Sequence, residues 1–152
     1  GVLGLEVLLR KPIARLINND GESLYMDTHG NRFNPTKFHT EHVALVRGDF
    51  MEAVADSFIC STVGEALPVL RYIHQHPFWN AQIAEVVLQQ NGELKLLPQV
   101  GNLPIEFGYP VRIEEKFDNL MDFYQQAIPK VGWNYYRSIN VKFRGQVVAK
   151  KR

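Results

Sequence analysis

Tyr135-Tyr136-Arg137-Ser138-Ile139-Asn140-Val141-Lys142-Phe143-Arg144-Gly145-Gln146-Val147-Val148-Ala149-Lys150-Lys151-Arg152 ends the sequence. It reads as two short strands around a tight turn at Arg144-Gly145. Tyr136, Ser138, Asn140 and Lys142 share one parity, and Arg137, Ile139, Val141 and Phe143 share the other. Side chains alternate across a strand, so the second, more apolar set is expected to face a core. Gln146-Val147-Val148-Ala149 then returns. With no further globular sequence after it, this strand is expected to close a sheet or to leave main-chain N–H and C=O groups for a partner strand.

Upstream of this ribbon the pattern is helical. Phe117, Leu120, Met121, Tyr124 and Ile128 recur at intervals of three and four, giving one apolar stripe over residues 114–126. Glu114 and Glu115 stand in the first turn, where the helix dipole favours anions, and Pro129 marks the stop. Before it, Ile83, Val86, Val87 and Leu88 precede Asn91-Gly92, and Leu94, Leu96 and Leu97 follow. Asn-Gly is a preferred hairpin centre because both positions take positive φ cheaply. Residues 103–107 read as another strand, which Pro104 should keep away from the middle of a sheet.

The first half alternates less cleanly. Leu3, Leu5, Val7 and Leu9 mark one strand, Arg10-Lys11-Pro12 a junction, and residues 13–17 a second extended run. Asn19-Asp20-Gly21 and His29-Gly30-Asn31 are turn signals within a meander of short strands. Residues 43–46 form an apolar strand, ended by Arg47-Gly48-Asp49. Met51, Val54, Ala55, Phe58 and Ile59 have helical spacing that Ser61-Thr62-Val63-Gly64 interrupts. A second helix is expected to follow with Pro68 in its first turn, stopped at His76-Pro77. Phe78 and Trp79 are expected to anchor the corner. This order of elements predicts an α+β fold: a largely antiparallel, curved sheet with helices packed on one face.

Composition narrows the function. The chain has 152 residues, 45% apolar and 22% charged, which is ordinary for a folded domain able to bury a core without staples. A net charge of +1 gives no case for nucleic acid. Cys60 is the only cysteine, so no internal disulfide forms. His39 with His42, and His74 with His76, are close in sequence but lack the other ligands of a metal site. Asn34-Pro35-Thr36 is excluded from glycosylation by its proline. No nucleophile elbow, phosphate loop or dinucleotide glycine pattern occurs. Glu85, Glu93, Glu106, Glu114 and Glu115 carry no spacing that singles out a catalytic pair. The residues therefore indicate a binding domain, with no catalytic residue, cofactor or metal assigned. Trp79 and Trp133 are expected at core junctions, and Tyr136 at an interface.

Arg10-Lys11-Pro12-Ile13-Ala14-Arg15, Tyr25-Met26-Asp27 with Gly30, residues 78–83, residues 114–120, and the closing residues 139–143 and 146–150 together resemble the extracytoplasmic region of the FtsQ/DivIB cell-division family, in the style of its Bacteroidetes members. The resemblance implies that residues 1–11 end a POTRA domain and that 12–152 form the β domain of a non-enzymatic divisome scaffold. It also implies a parent protein held by one N-terminal membrane helix, acting on the periplasmic face of the inner membrane at the septum. The implied partners are the FtsB/FtsL coiled-coil proteins and, through them, the septal peptidoglycan synthase complex. In such proteins a partner segment adds a strand to the last exposed strand. Carried onto this chain, the partner-binding residues are Tyr136, Ile139, Val141, Phe143, Gln146, Val147, Val148, Ala149 and Lys150. The charged helix face at Glu115, Lys116 and Asp122 is a second expected contact. The competing readings are an accessory domain of outer-membrane assembly or secretion, and a peptidoglycan-binding module using Trp and Tyr residues.

Overall fold

The computed structural model describes residues 11–18, 21–34, 42–48 and 61–152. Among them, nine strands form a single sheet: β1 Ala14–Ile17, β2 Ser23–Met26, β3 Arg32–Phe33, β4 Ala44–Gly48, β5 Ile83–Leu88, β6 Leu94–Pro98, β7 Ile105–Gly108, β8 Tyr136–Asn140 and β9 Val148–Lys151. Four helices accompany them: α1 Ser61–Gln75, α2 Pro77–Gln82, α3 Ile113–Gln126 and α4 Ile128–Val131. The sheet order is β3-β2-β1-β4-β5-β6-β7-β8-β9. Pairing is parallel for β1–β4, β4–β5 and β7–β8, and antiparallel for the others. The protein is thus α+β with a mixed, mostly antiparallel open sheet.

Strand alternation decides which face is covered. Ala14, Leu16, Val46, Val86, Leu88, Leu94, Leu96, Ile105, Phe107 and Ile139 are all buried, and they share a core with Val63, Val69, Leu70 and Ile73 of α1 and Phe117 and Leu120 of α3. Their strand neighbours Arg15, Arg47, Glu85, Lys95 and Glu106 lie on the other face. There Arg47 meets Glu85 at 2.9 Å and Lys95 meets Glu106 at 3.6 Å. Exposed pairs of this sort contribute at most about 1 kcal/mol each. The buried apolar face holds the fold, while the ion pairs on the other face add small cross-strand support.

Several sequence expectations change in three dimensions. Pro68 lies inside α1, which spans Ser61–Gln75 and runs through Gly64. Proline removes the hydrogen bond to the carbonyl four residues back, here that of Gly64. Gly64 and Pro68 are both exposed, so water can serve that carbonyl. The Met51–Ile59 helix, Cys60, His39 and Asp49 lie outside the described residues, whereas Arg47 and Gly48 are strand residues opposite Val87 and Leu88. Only Gly92 of the Asn91-Gly92 pair has positive φ (88°), and the turn spans three residues: Gly92 N–H donates to Gln89 O, and Gln89 N–H to Glu93 O. This is a type I turn followed by a left-handed glycine. β7 is central after all. Pro104 precedes it, so the missing N–H lies outside the ladder, and the Pro104 carbonyl accepts from Ile139 N–H at 3.0 Å.

Aromatic side chains tie the helices to the strands. Trp79 is 3% exposed, with its ring 5.0 Å from Phe117 and 5.8 Å from Tyr124. Trp133 meets Tyr124 edge-on at 5.1 Å and lies directly over Gly101. A Cβ on Gly101 would stand 2.4 Å from the Trp133 ring, and its φ is +92°. Glycine is required there twice over, by space and by dihedral. Phe78 remains 46% exposed, edge-on to Trp79.

Candidate docking edge

The closing ribbon begins where α4 hands over to β8. Ile139 N–H donates to Pro104 O, and Val141 N–H to Glu106 O at 3.1 Å, so these two residues turn their main chain toward β7. Main-chain groups alternate in direction along a strand, so Ser138 and Asn140 turn the other way, toward β9. Their partners across the pair are Lys150 and Val148. Val148 and Lys150 therefore use their main-chain groups within the sheet. Arg152 N–H is again directed inward, to Tyr135 O at 3.1 Å. By the same alternation Ala149 and Lys151 point N–H and C=O away from β8. No described strand lies on that side, because β9 is last in the sheet order.

The side chains sort by the same rule. Ile139 and Val141 are fully buried, so their side chains belong to the core and can reach a partner only through the strands around them. Phe143, expected in the core, is 51% exposed. β8 stops at Asn140, whose Oδ1 accepts Lys142 N–H at 2.9 Å and bends the chain, so strand parity no longer governs Phe143. Tyr136 also departs from its parity. A register shift between Tyr136 and Ser138 carries it to the helix side, half-buried, with Phe123 of α3 at 5.3 Å. Gln146 and Val147 precede β9 rather than forming part of it; Val147 is half-buried against the core. Val148 and Lys150 face the open side of the sheet, and Ala149 faces the helix side opposite Ile139. Lys151 was missing from the sequence-based set, although the parity that turns Ile139 to β7 also turns Lys151 outward.

Two shallow depressions flank the edge. One, of about 270 Å³, is bordered by Glu106, Ser138, Asn140, Lys142, Val148 and Lys150 on the open side. The other, also about 270 Å³, lies between α3 and the turn and is bordered by Asn119, Asp122, Phe123, Gly145, Gln146 and Val147. The Nδ2 of Asn119 is buried with no hydrogen-bond partner among the described residues. Lys142 bridges to Glu93 at 2.9 Å, and Arg112 donates to the Lys142 carbonyl. These contacts hold the end of β8 against the β5–β6 turn and α3.

Of the three residues expected on the charged helix face, Glu115 is exposed and pairs with Arg112 at 2.7 Å, and Asp122 is exposed. Lys116 is instead only 2% exposed. Its Nζ donates to Tyr109 O at 2.7 Å and lies 4.7 Å from the centre of the Phe107 ring. Burial, reinforced by the neighbouring Arg112 guanidinium, pulls its ammonium pKa down to about 8. Lys116 thus closes the β7–α3 corner and presents no contact surface. Burial likewise pushes the Tyr124 hydroxyl up to about 12, opposed by its hydrogen bond from Gln82. His74 is exposed, and His76 Nδ1 lies 2.7 Å from the Tyr72 carbonyl with its ring stacked on Tyr72. Among the described residues, no three His, Cys, Asp or Glu side chains converge, and no helix is long and apolar enough to cross a membrane.

No curated protein sequence matches the chain. A family model does match, over residues 11–150, and its description is FtsQ/DivIB, C-terminal related. The match takes in every described strand and helix except the last residue of β9. The chain therefore belongs to the FtsQ/DivIB, C-terminal related family, a family of non-catalytic scaffold domains of the bacterial division septum.

Proposed function

We propose that this domain docks a division partner of the FtsB/FtsL coiled-coil kind by adding a strand of that partner to β9, and so helps bring the septal peptidoglycan synthase complex to the division site. One observation carries the reading: among the described residues β9 is the last strand of the sheet, with the main-chain groups of Ala149 and Lys151 directed away from β8. Strand addition draws its affinity from such groups and its selectivity from side chains at alternate positions. Val148, Lys150 and the flanking Gln146 and Val147 supply those side chains, and Tyr136 supports the helix-side border. Ile139 and Val141 act from the core by fixing β8, and exposed Phe143 offers apolar area beside the turn. In this reading residues 1–11 end a preceding POTRA domain, residues 12–152 form the β domain, and the parent protein is anchored by one N-terminal helix on the periplasmic side.

The test is affinity purification of the full-length protein from dividing cells, as wild type and as Ala149→Pro. Coiled-coil division proteins should co-purify with the wild type and be depleted from the variant. Recovery of barrel-assembly proteins would favour the outer-membrane reading instead. Retention on isolated sacculi, lost on replacing the exposed Phe78 and Tyr135, would favour glycan binding.

A further inference from the structure

We infer that the segment received by β9 is apolar at one end and acidic at the other, with carboxylates on consecutive residues; this rests on the strand-addition reading above. From Arg137 onward the sequence carries Arg137, Lys142, Arg144, Lys150, Lys151 and Arg152, and no Asp or Glu. These six cations belong to a chain whose net charge is +1, so everything before them carries −5. Positive charge is therefore concentrated in the closing ribbon, residues 137–152, with Arg137 on β8, Lys150 and Lys151 on β9, and the others beside them. Of the six, Lys142 is paired with Glu93. No described side-chain carboxylate pairs with Arg137, Arg144 or Lys150, all of which lie at or beside the edge. Glu106 borders the open-side depression but pairs with Lys95, and Asp122 borders the helix-side cleft on α3. Neither is on β9.

The arrangement along β9 is more specific than its sum. Val148 and Ala149 begin the strand, on opposite faces, while Lys150 and Lys151 end it, also on opposite faces. Val148 is 38% exposed. Lys151 stays at the surface, its Nζ 5.5 Å from the centre of the Tyr135 ring. The edge is thus divided lengthwise into an apolar half and a cationic half. A strand laid beside it must present apolar residues to Val148 and Ala149. It must present acids to both faces at Lys150 and Lys151, which means neighbours in sequence rather than alternate positions. The rest of the chain is net negative, so long-range charge favours the closing ribbon as the place of encounter for an acidic segment. Edge lysines also discourage unwanted sheet pairing. That role alone predicts no preference among incoming strands.

The probe is a labelled hexapeptide, Glu-Glu-Glu-Val-Ile-Val, together with versions carrying Gln or Lys in place of Glu and versions with the two blocks in reverse order. Binding is followed by fluorescence anisotropy at low and high salt. In whichever block order binds more tightly, the Glu peptide should bind about tenfold or more tighter than the Gln peptide at low salt, with the advantage shrinking to about threefold or less near 0.5 M salt. Lys150→Glu/Lys151→Glu, on exposed side chains, should reverse the order so that the Lys peptide binds best. Equal binding of the Glu and Gln peptides overturns the inference; if Ala149→Pro then weakens both, strand addition survives and only the acidic character falls. Glu-peptide binding insensitive to Ala149→Pro overturns both. Binding to phosphatidylglycerol vesicles that the double variant abolishes, with no peptide bound, overturns the inference in favour of a membrane surface.

Discussion

Replacing Ala149 by proline tests the edge with little cost to the fold. Proline has no N–H, and the Ala149 N–H is one that alternation turns away from β8. Val148 and Lys150 keep their ladder bonds to Asn140 and Ser138, and proline on the solvent side of an edge strand is tolerated. The domain should therefore unfold within about 1 kcal/mol of wild type. Lys150→Pro is the control, because there the lost N–H faces Ser138 and the ladder itself breaks. An added strand would use the outward groups of Ala149 and Lys151. Losing one donor forfeits about 0.5–1.5 kcal/mol of net bonding, and stranding the partner's carbonyl raises the cost to about 1–3 kcal/mol. That corresponds to roughly 5-fold to 150-fold weaker binding. Titration calorimetry with the Glu hexapeptide, alongside urea unfolding of each variant, measures both quantities. Wild-type affinity in a folded Ala149→Pro protein would refute the strand-addition geometry. Val147→Pro is a less clean test, since Val147 precedes β9 and packs partly on the core.

Gly101→Ala should destabilise by about 2–4 kcal/mol, from positive φ and from the clash with Trp133, lowering the melting temperature by roughly 5–15 °C and shifting tryptophan fluorescence. Leu96→Ala, at a fully buried position in β6, should cost about 2–5 kcal/mol in urea unfolding while leaving any edge binding intact in the folded fraction. Lys116 gives a pH signature of definite sign. Its folded pKa of about 8 lies below the unfolded value near 10.4, so the unfolded chain holds more protons between the two. Stability contributed at this site therefore rises as pH climbs through that window, and Lys116→Met should lack the rise when the two proteins are compared by urea unfolding at pH 7.5 and pH 10. A parallel pH response in both would contradict the buried-ammonium assignment.

The amphipathic stripe of α3, the β5–β6 hairpin and the closing ribbon were all legible from local pattern, because periodicity and turn chemistry depend on neighbours in sequence. So was the family, whose signature lies in the order of its motifs. Local pattern failed where a distant element intervened. Pro104 looked like an edge marker, yet β8 arrives from more than thirty residues downstream and bonds its carbonyl. Phe143 was assigned to the core by a parity that ends when Asn140 bends the chain, and Tyr136 was displaced by the register shift that lets it meet Phe123.

Composition and alternation were enough to predict the α+β fold and to place the cations of the closing ribbon. Which main-chain groups of that end face outward depended on pairing. Ile139 and Val141 bond to β7, a contact between residues far apart in sequence, and that alone turns the main-chain groups of Ala149 and Lys151 away from β8. Side-chain alternation can be read along one strand, but the direction of its hydrogen bonds is set by the strand beside it.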